Sequence, residues 1–167
     1  MKAVAISGSP RAPSKSKALA ERLLEELASL GCETQTIDVA SLPAEALLAR
    51  EPSPEIDAGI TAVGEAQILI ATSPTYRALY TGALKCFFDL MPQGHLTGKL
   101  CIGLQTGIAP HHSLSPEYGL RPLFASLEGT SLAVLYATDA EFVDGQPGPE
   151  LAARLKAIAT RAITSSV

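Results

Sequence analysis

The sequence predicts a three-layer α/β sandwich built on a five-stranded parallel sheet, and three observations lead there. Five short segments rich in apolar and β-branched residues run through the 167-residue chain, most of them separated by stretches long enough for a helix. Those stretches repeat apolar residues at helical spacing, so each has one face to bury. Most of the strand segments are nearly continuously apolar instead of alternating, which suits strands covered on both faces, and right-handed crossovers leave few topologies open.

The elements follow in order. "KAVAIS" (2–7) is the first strand, and Leu19, Leu23 and Leu27 then mark a helix at i, i+4, i+8. "CETQTID" (32–38) is the second strand. Residues 41–66 carry Pro43, Pro52 and Pro54 among periodic Leu47, Leu48, Ile56, Ile60 and Val63, which predicts a short helix or turn, an irregular link, and a helix from about 54 to 65. A strand, "AQILIAT" (66–72), follows at once, so the prolines mark no domain boundary. Leu84, Phe87, Phe88 and Met91 give the next helix, "KLCIGLQT" (99–106) and "SLAVLYAT" (131–138) the last two strands. After "QPGPE", Leu151, Leu155, Ile158 and Ala162 form the closing helix, and residues 1–167 are expected to make one domain.

Composition excludes several classes. A net charge of −4 with 13 Lys and Arg offers no basic field for nucleic acid. No apolar run is long enough to span a bilayer, and the N-terminus lacks a signal-peptide pattern. Three cysteines without CxxC spacing argue against a disulfide framework, so a cytoplasmic protein is expected.

In an open α/β sheet the ligand sits at the carboxyl ends of the strands. Three loops there carry unusual chemistry: "SGSPRAPSKS" (7–16), "SPTYRALYTG" (73–82) and "TGIAPHHS" (106–113). Any one of them could be a plain turn with a capping serine; three at one sheet edge point to a site. The first loop lacks the second glycine of a dinucleotide fingerprint, and Pro13 and the offset of Lys15-Ser16 break the P-loop pattern. What it offers is hydroxyls from Ser9, Ser14 and Ser16, the Arg11 guanidinium, and the backbone amides of a helix start. That set suits a phosphate monoester. Pro74 and Tyr76 in the second loop suit a flat ring, and Thr106-Gly107 allow the backbone to approach a ring edge. Phosphate at one end and a planar heterocycle at the other describe flavin mononucleotide, FMN.

"SGSPRAPSKS", "SPTYRALYTGALKCFFDLMPQ" and "GLRPLFASL" resemble the NADPH-dependent FMN reductases of two-component sulfonate monooxygenase systems, within the flavodoxin-like NAD(P)H reductase family, over about residues 1–138. The resemblance implies a flavodoxin-like sheet of order 2-1-3-4-5. It implies that Ser9, Arg11, Ser14 and Ser16 hold the FMN phosphate, that Pro74, Thr75 and Tyr76 lie along the flavin, and that Thr106 and Gly107 meet the ring. It further implies NADPH or NADH as hydride donor, a flavin-dependent monooxygenase as partner, and a homodimer or homotetramer with Thr81–Leu90 in the interface. Tyr118 would be an inserted residue making a π-bulge at the tetramer interface, the alternative being an aromatic that simply packs there. Ile108 stands where family members often carry a second glycine.

Hydride transfer to a flavin needs no nucleophile or acid–base pair from the protein, and the chain has no GxSxG or HExxH. The same fold and loop would equally serve a quinone, azo or metal-ion reductase with tightly held FMN, or a one-electron carrier. His111 and His112 lack a third ligand at suitable spacing, so they are expected to rim the flavin pocket or an oligomer contact and not to bind metal. Cys86 and Cys101 are expected to be packing, Lys85 to pair with Asp89 at i, i+4, and Arg77 stays open as a possible contact for the NADPH phosphate.

Overall fold

The computed structural model describes residues 1–165. Five parallel strands, β1 (Lys2–Ser7), β2 (Glu33–Asp38), β3 (Ile68–Pro74), β4 (Leu100–Gly107) and β5 (Thr130–Thr138), form one sheet in the order β2-β1-β3-β4-β5. This is the order expected from the sequence. The chain reverses direction of travel across the sheet at β1 and β3, so the carboxyl ends of these strands frame the crevice where such folds bind ligands.

Among the described residues six α-helices flank the sheet: α1 (Lys15–Ser29), α2 (Ala44–Leu47), α3 (Pro54–Glu65), α4 (Gly82–Asp89), α5 (Ser115–Ser126) and α6 (Pro149–Ser165). Strand alternation divides the core in two. Ala3, Ala5, Ile68 and Ile70 face α1 and α6, packing on Leu19, Leu23, Leu151 and Leu155. Val4, Ile6, Leu69 and Ala71 face the other way, against Val63 of α3, Phe87 of α4 and Phe124 of α5. Among the described residues no helix is long and apolar enough to cross a membrane.

Local chemistry sets the helix starts. Ser53 accepts from the Ile56 amide with Pro54 at the first helical position, so α3 begins where its sequence says it should. Thr81 caps α4 by accepting from the Leu84 amide at 3.2 Å, and its hydroxyl also donates to the Gly8 carbonyl at 2.5 Å. One buried hydroxyl therefore starts a helix and ties it to the first loop. Thr81→Ala should lower stability by about 1–2 kcal/mol, read as a drop in Tm, because both partners lose it.

β2 is a sheet edge with five of its six positions exposed or half-exposed toward solvent, so its polar "ETQTID" needs no second cover. A small antiparallel hairpin, β6 (Phe142–Val143) and β7 (Gln146–Pro147), precedes α6, turning at Asp144 and Gly145, both at positive φ. Asp-Gly between two short extended segments is the usual signature of such a turn.

Candidate active site

The first loop is braced from three sides. Its Gly8 amide donates to Thr72 of β3 at 2.8 Å and its Gly8 carbonyl accepts from Thr81. A methyl at Gly8 would stand 2.6 Å from the Leu84 Cβ, so only glycine lets α4 pack this close. Thr72 Oγ1 donates to the Ser16 carbonyl at 2.6 Å, which fastens the first turn of α1 to β3.

The four residues expected to hold phosphate come together here, in different roles. Ser14 is the N-cap of α1, accepting from Lys17 at 3.3 Å, and its hydroxyl lies 2.9 Å from that of the buried Ser16. Ser9 is buried and turned inward: its hydroxyl donates to the Arg11 carbonyl and accepts from the Arg11 amide, shaping the turn. Arg11 itself is exposed. Lys15, at the start of α1, is 3.2 Å from Asp139 and lies over the Phe142 ring, so the β6–β7 hairpin backs this helix.

Ser7, the last residue of β1, was not anticipated. It is fully buried, and its hydroxyl is one of two buried side-chain polar atoms without a hydrogen-bond partner among the described residues. Ser7 is the register partner of Thr72, so the two side chains share the sheet face beneath the start of α1. An orphaned hydroxyl under a helix N-terminus, with capping serines and a free guanidinium above, fits a phosphate monoester.

At the other end, the Thr75 amide donates to the Thr106 carbonyl at 2.7 Å, extending the β3–β4 ladder one residue past Pro74. A cavity of about 250 Å³ opens there, lined by all five residues expected at the ring: Pro74, Thr75, Tyr76, Thr106 and Gly107. His112 and Asp139 line it too. His112 thus lies on the rim of this cavity, which His111 does not line; Asp139 escaped sequence reading because it lies outside all three loops.

Two further side chains brace the segments around this cavity. Gln105, fully buried, donates to the Thr75 hydroxyl at 3.3 Å and accepts from the Ser115 hydroxyl at 3.0 Å. Tyr136 donates its phenol to the Ala109 carbonyl at 2.9 Å, and an ideal Cβ at Gly107 would come within 2.2 Å of that oxygen. Burial first, then the carboxylates of Asp139 and Glu141, push the Tyr136 pKa up, so the phenol remains a donor.

Residues 76–79 make a tight turn in which Tyr76 and Leu79 exchange backbone hydrogen bonds at 2.8 and 3.2 Å. Its central residues, Arg77 and Ala78, have φ of 50° and 65°. Each left-handed non-glycine residue costs about 1–2 kcal/mol. Strain of this kind is retained mostly at functional positions.

Lys85 pairs with Asp89, as expected. Cys101 is packed inside, where burial pushes its thiol up to about 12. Tyr118 needs correcting. No π-bulge interrupts α5, since the Tyr118 amide bonds the Leu114 carbonyl four residues back at 3.1 Å. The irregularity lies in Pro122, which has no N–H for the Tyr118 carbonyl. Tyr118 is 76% exposed, in a helix whose Gly119 packs against Leu79.

Residues 1–142 match the family described as NADPH-dependent FMN reductase. Over 168 aligned residues the chain is 37% identical to the NADH-dependent FMN reductase SfnF of Pseudomonas fluorescens (strain Pf0-1), covering 97% of this chain and 90% of that protein. It is 33% identical to the FMN reductase (NADPH) of Escherichia coli (strain K12), covering 93% and 83%. The apo crystal structure of an NADH:FMN oxidoreductase (EMOB) superposes with a TM-score of 0.88 at 32% identity, covering 98% and 89%. A flavodoxin from Streptococcus pneumoniae, 14% identical with a TM-score of 0.69, shares the fold. Matched by the family model over residues 1–142 and by a relative along 97% of its length, this chain belongs to the NADPH-dependent FMN reductase family.

Proposed function

We propose that this chain is an NAD(P)H-dependent FMN reductase whose whole site lies in a single domain, residues 1–167. The observation that carries the reading is the pairing, on one sheet edge, of a phosphate-suited helix start and a peptide-lined cavity at the ends of β3 and β4. Ser14, Ser16, Arg11 and the first amides of α1 receive the FMN phosphate, and Ser9 shapes the turn that presents them. Pro74, Thr75 and Tyr76 lie along the flavin while Thr106 and Gly107 meet its edge. Bound FMN supplies the hydride acceptor. The protein supplies orientation: rigid strand ends, a pinned turn and few side chains that could compete in the chemistry.

The resemblance of the first two loops to reductases of sulfonate monooxygenase systems supports a product, reduced FMN, that leaves for a monooxygenase. A second copy of the chain covers the exposed apolar side chains Leu79, Leu114 and Tyr118, giving a homo-oligomer.

The deciding experiment follows NADPH and NADH oxidation in air as FMN is raised from below to far above the protein concentration. A rate that climbs well beyond one FMN per chain is expected for a flavin that departs as product. Saturation at one equivalent would instead make FMN a fixed group serving another acceptor. No oxidation with either donor would overturn the reductase reading and favour a carrier.

A further inference from the structure

The cationic side chains of the described residues fall into two sets. Arg22, Arg50, Arg121 and Arg154 pair with carboxylates, as do Lys2, Lys15, Lys17 and Lys85, and Lys99 donates to the Gly64 and Ala66 carbonyls. Arg11, Arg77, Lys156 and Arg161 have neither an ion-pair nor a hydrogen-bond partner for their charged ends among the described residues. Lys156 and Arg161 lie on the exposed side of α6, where a solvated cation is ordinary. The other two stand at opposite ends of the flavin site: Arg11 in the phosphate loop, Arg77 at the tip of the turn beside the ring cavity.

Arg77 lines, with Thr75 and Tyr76, a cavity of about 400 Å³. Thr75 and Tyr76 also line the ring cavity, so the two spaces share a wall. Both central residues of the turn are left-handed. Glycine or asparagine would sit there with less strain, yet an arginine occupies it.

We propose that Arg77 receives a phosphate of the pyridine dinucleotide donor, an inference that rests on the reductase reading. The FMN phosphate belongs at the start of α1, at the other end of the site. An anion arriving beside the ring therefore belongs to a second ligand. A donor that lays its nicotinamide against the flavin carries its phosphates out past the ring edge, and a planar guanidinium at the tip of a rigid turn can meet one of them with two parallel hydrogen bonds. The site then holds one unpaired arginine for each phosphorylated ligand.

Arg77→Asn removes the charge with a residue that tolerates the left-handed backbone, and Arg77→Lys keeps the charge without the fork. Steady-state oxidation of NADPH and NADH is measured for both variants at saturating FMN, alongside FMN affinity by flavin fluorescence. Arg77→Asn is expected to raise donor KM about tenfold with kcat within about twofold and FMN affinity unchanged, and Arg77→Lys to recover part of the loss. Loss with both donors assigns the contact to the diphosphate; loss confined to NADPH assigns it to the 2′-phosphate. An active wild type with an Arg77→Asn variant of unaltered KM overturns the proposal alone, as does a loss that falls on FMN affinity. A wild type that oxidises neither donor overturns this proposal and the reductase reading together.

Discussion

Gly107→Ala is expected to weaken FMN binding by roughly tenfold to a hundredfold, and Tyr136→Phe in the same chain to return much of that loss. The added methyl would stand 2.2 Å from the Tyr136 hydroxyl, closer than any real contact. Tyr136 has little freedom to retreat, because it sits in β5 opposite Gln105 and its phenol holds the Ala109 carbonyl. The turn from Thr106 to Ala109 must therefore lift, carrying away the backbone assigned to the flavin edge. Overpacking of this kind costs about 1–3 kcal/mol. Without the hydroxyl the nearest ring atom is Cζ at 3.1 Å, a tight contact that small shifts relieve. FMN titrations of the wild type, both single variants and the double variant form a cycle whose coupling term should be large and favourable. Strictly additive losses would show that the collision does not control the loop.

Arg11→Gln should raise the FMN dissociation constant by about tenfold to a hundredfold and leave riboflavin binding where it was. Hydrogen bonds to a charged group contribute about 1.5–3 kcal/mol, and riboflavin lacks the phosphate that would receive them. Arg11 is exposed and its guanidinium has no internal partner, so the thermal stability of the flavin-free protein should hardly change. Equal losses for FMN and riboflavin would remove Arg11 from the phosphate site.

Much of this was legible before any coordinates. Pro54 behind a capping Ser53 defines α3 from local chemistry alone, and the apolar runs of β1, β3 and β4 mark strands buried on both faces. The loops were found because their residue types are unusual for plain turns. What escaped depends on neighbours distant in sequence. Ser7 looks like an ordinary strand end until Thr72 and α1 close over it, 65 residues being needed to bring its register partner alongside. Gln105 and Tyr136 look like strand residues, and only the paired sheet shows that one braces Thr75 and the other props Ala109. Ser9 offers a hydroxyl by its residue type, whereas in the fold that hydroxyl bonds the Arg11 backbone. The β6–β7 hairpin is within reach of the sequence, since Asp144-Gly145 carries its turn signal.

The anchoring of both ends of the site on β3 sets a length. Thr72 fastens the first turn of α1, and Thr75, three residues on, opens the ring cavity. Extended backbone rises about 3.3 Å per residue, which fixes the two anchors about 10 Å apart along the strand. A hydrogen-bonded central strand neither stretches nor shortens, so β3 acts as a ruler. At the site proposed above, ligands would be sorted by the spacing between phosphate and ring as well as by the chemistry of each, and one with the right groups on a shorter or longer tether would satisfy only one anchor at a time.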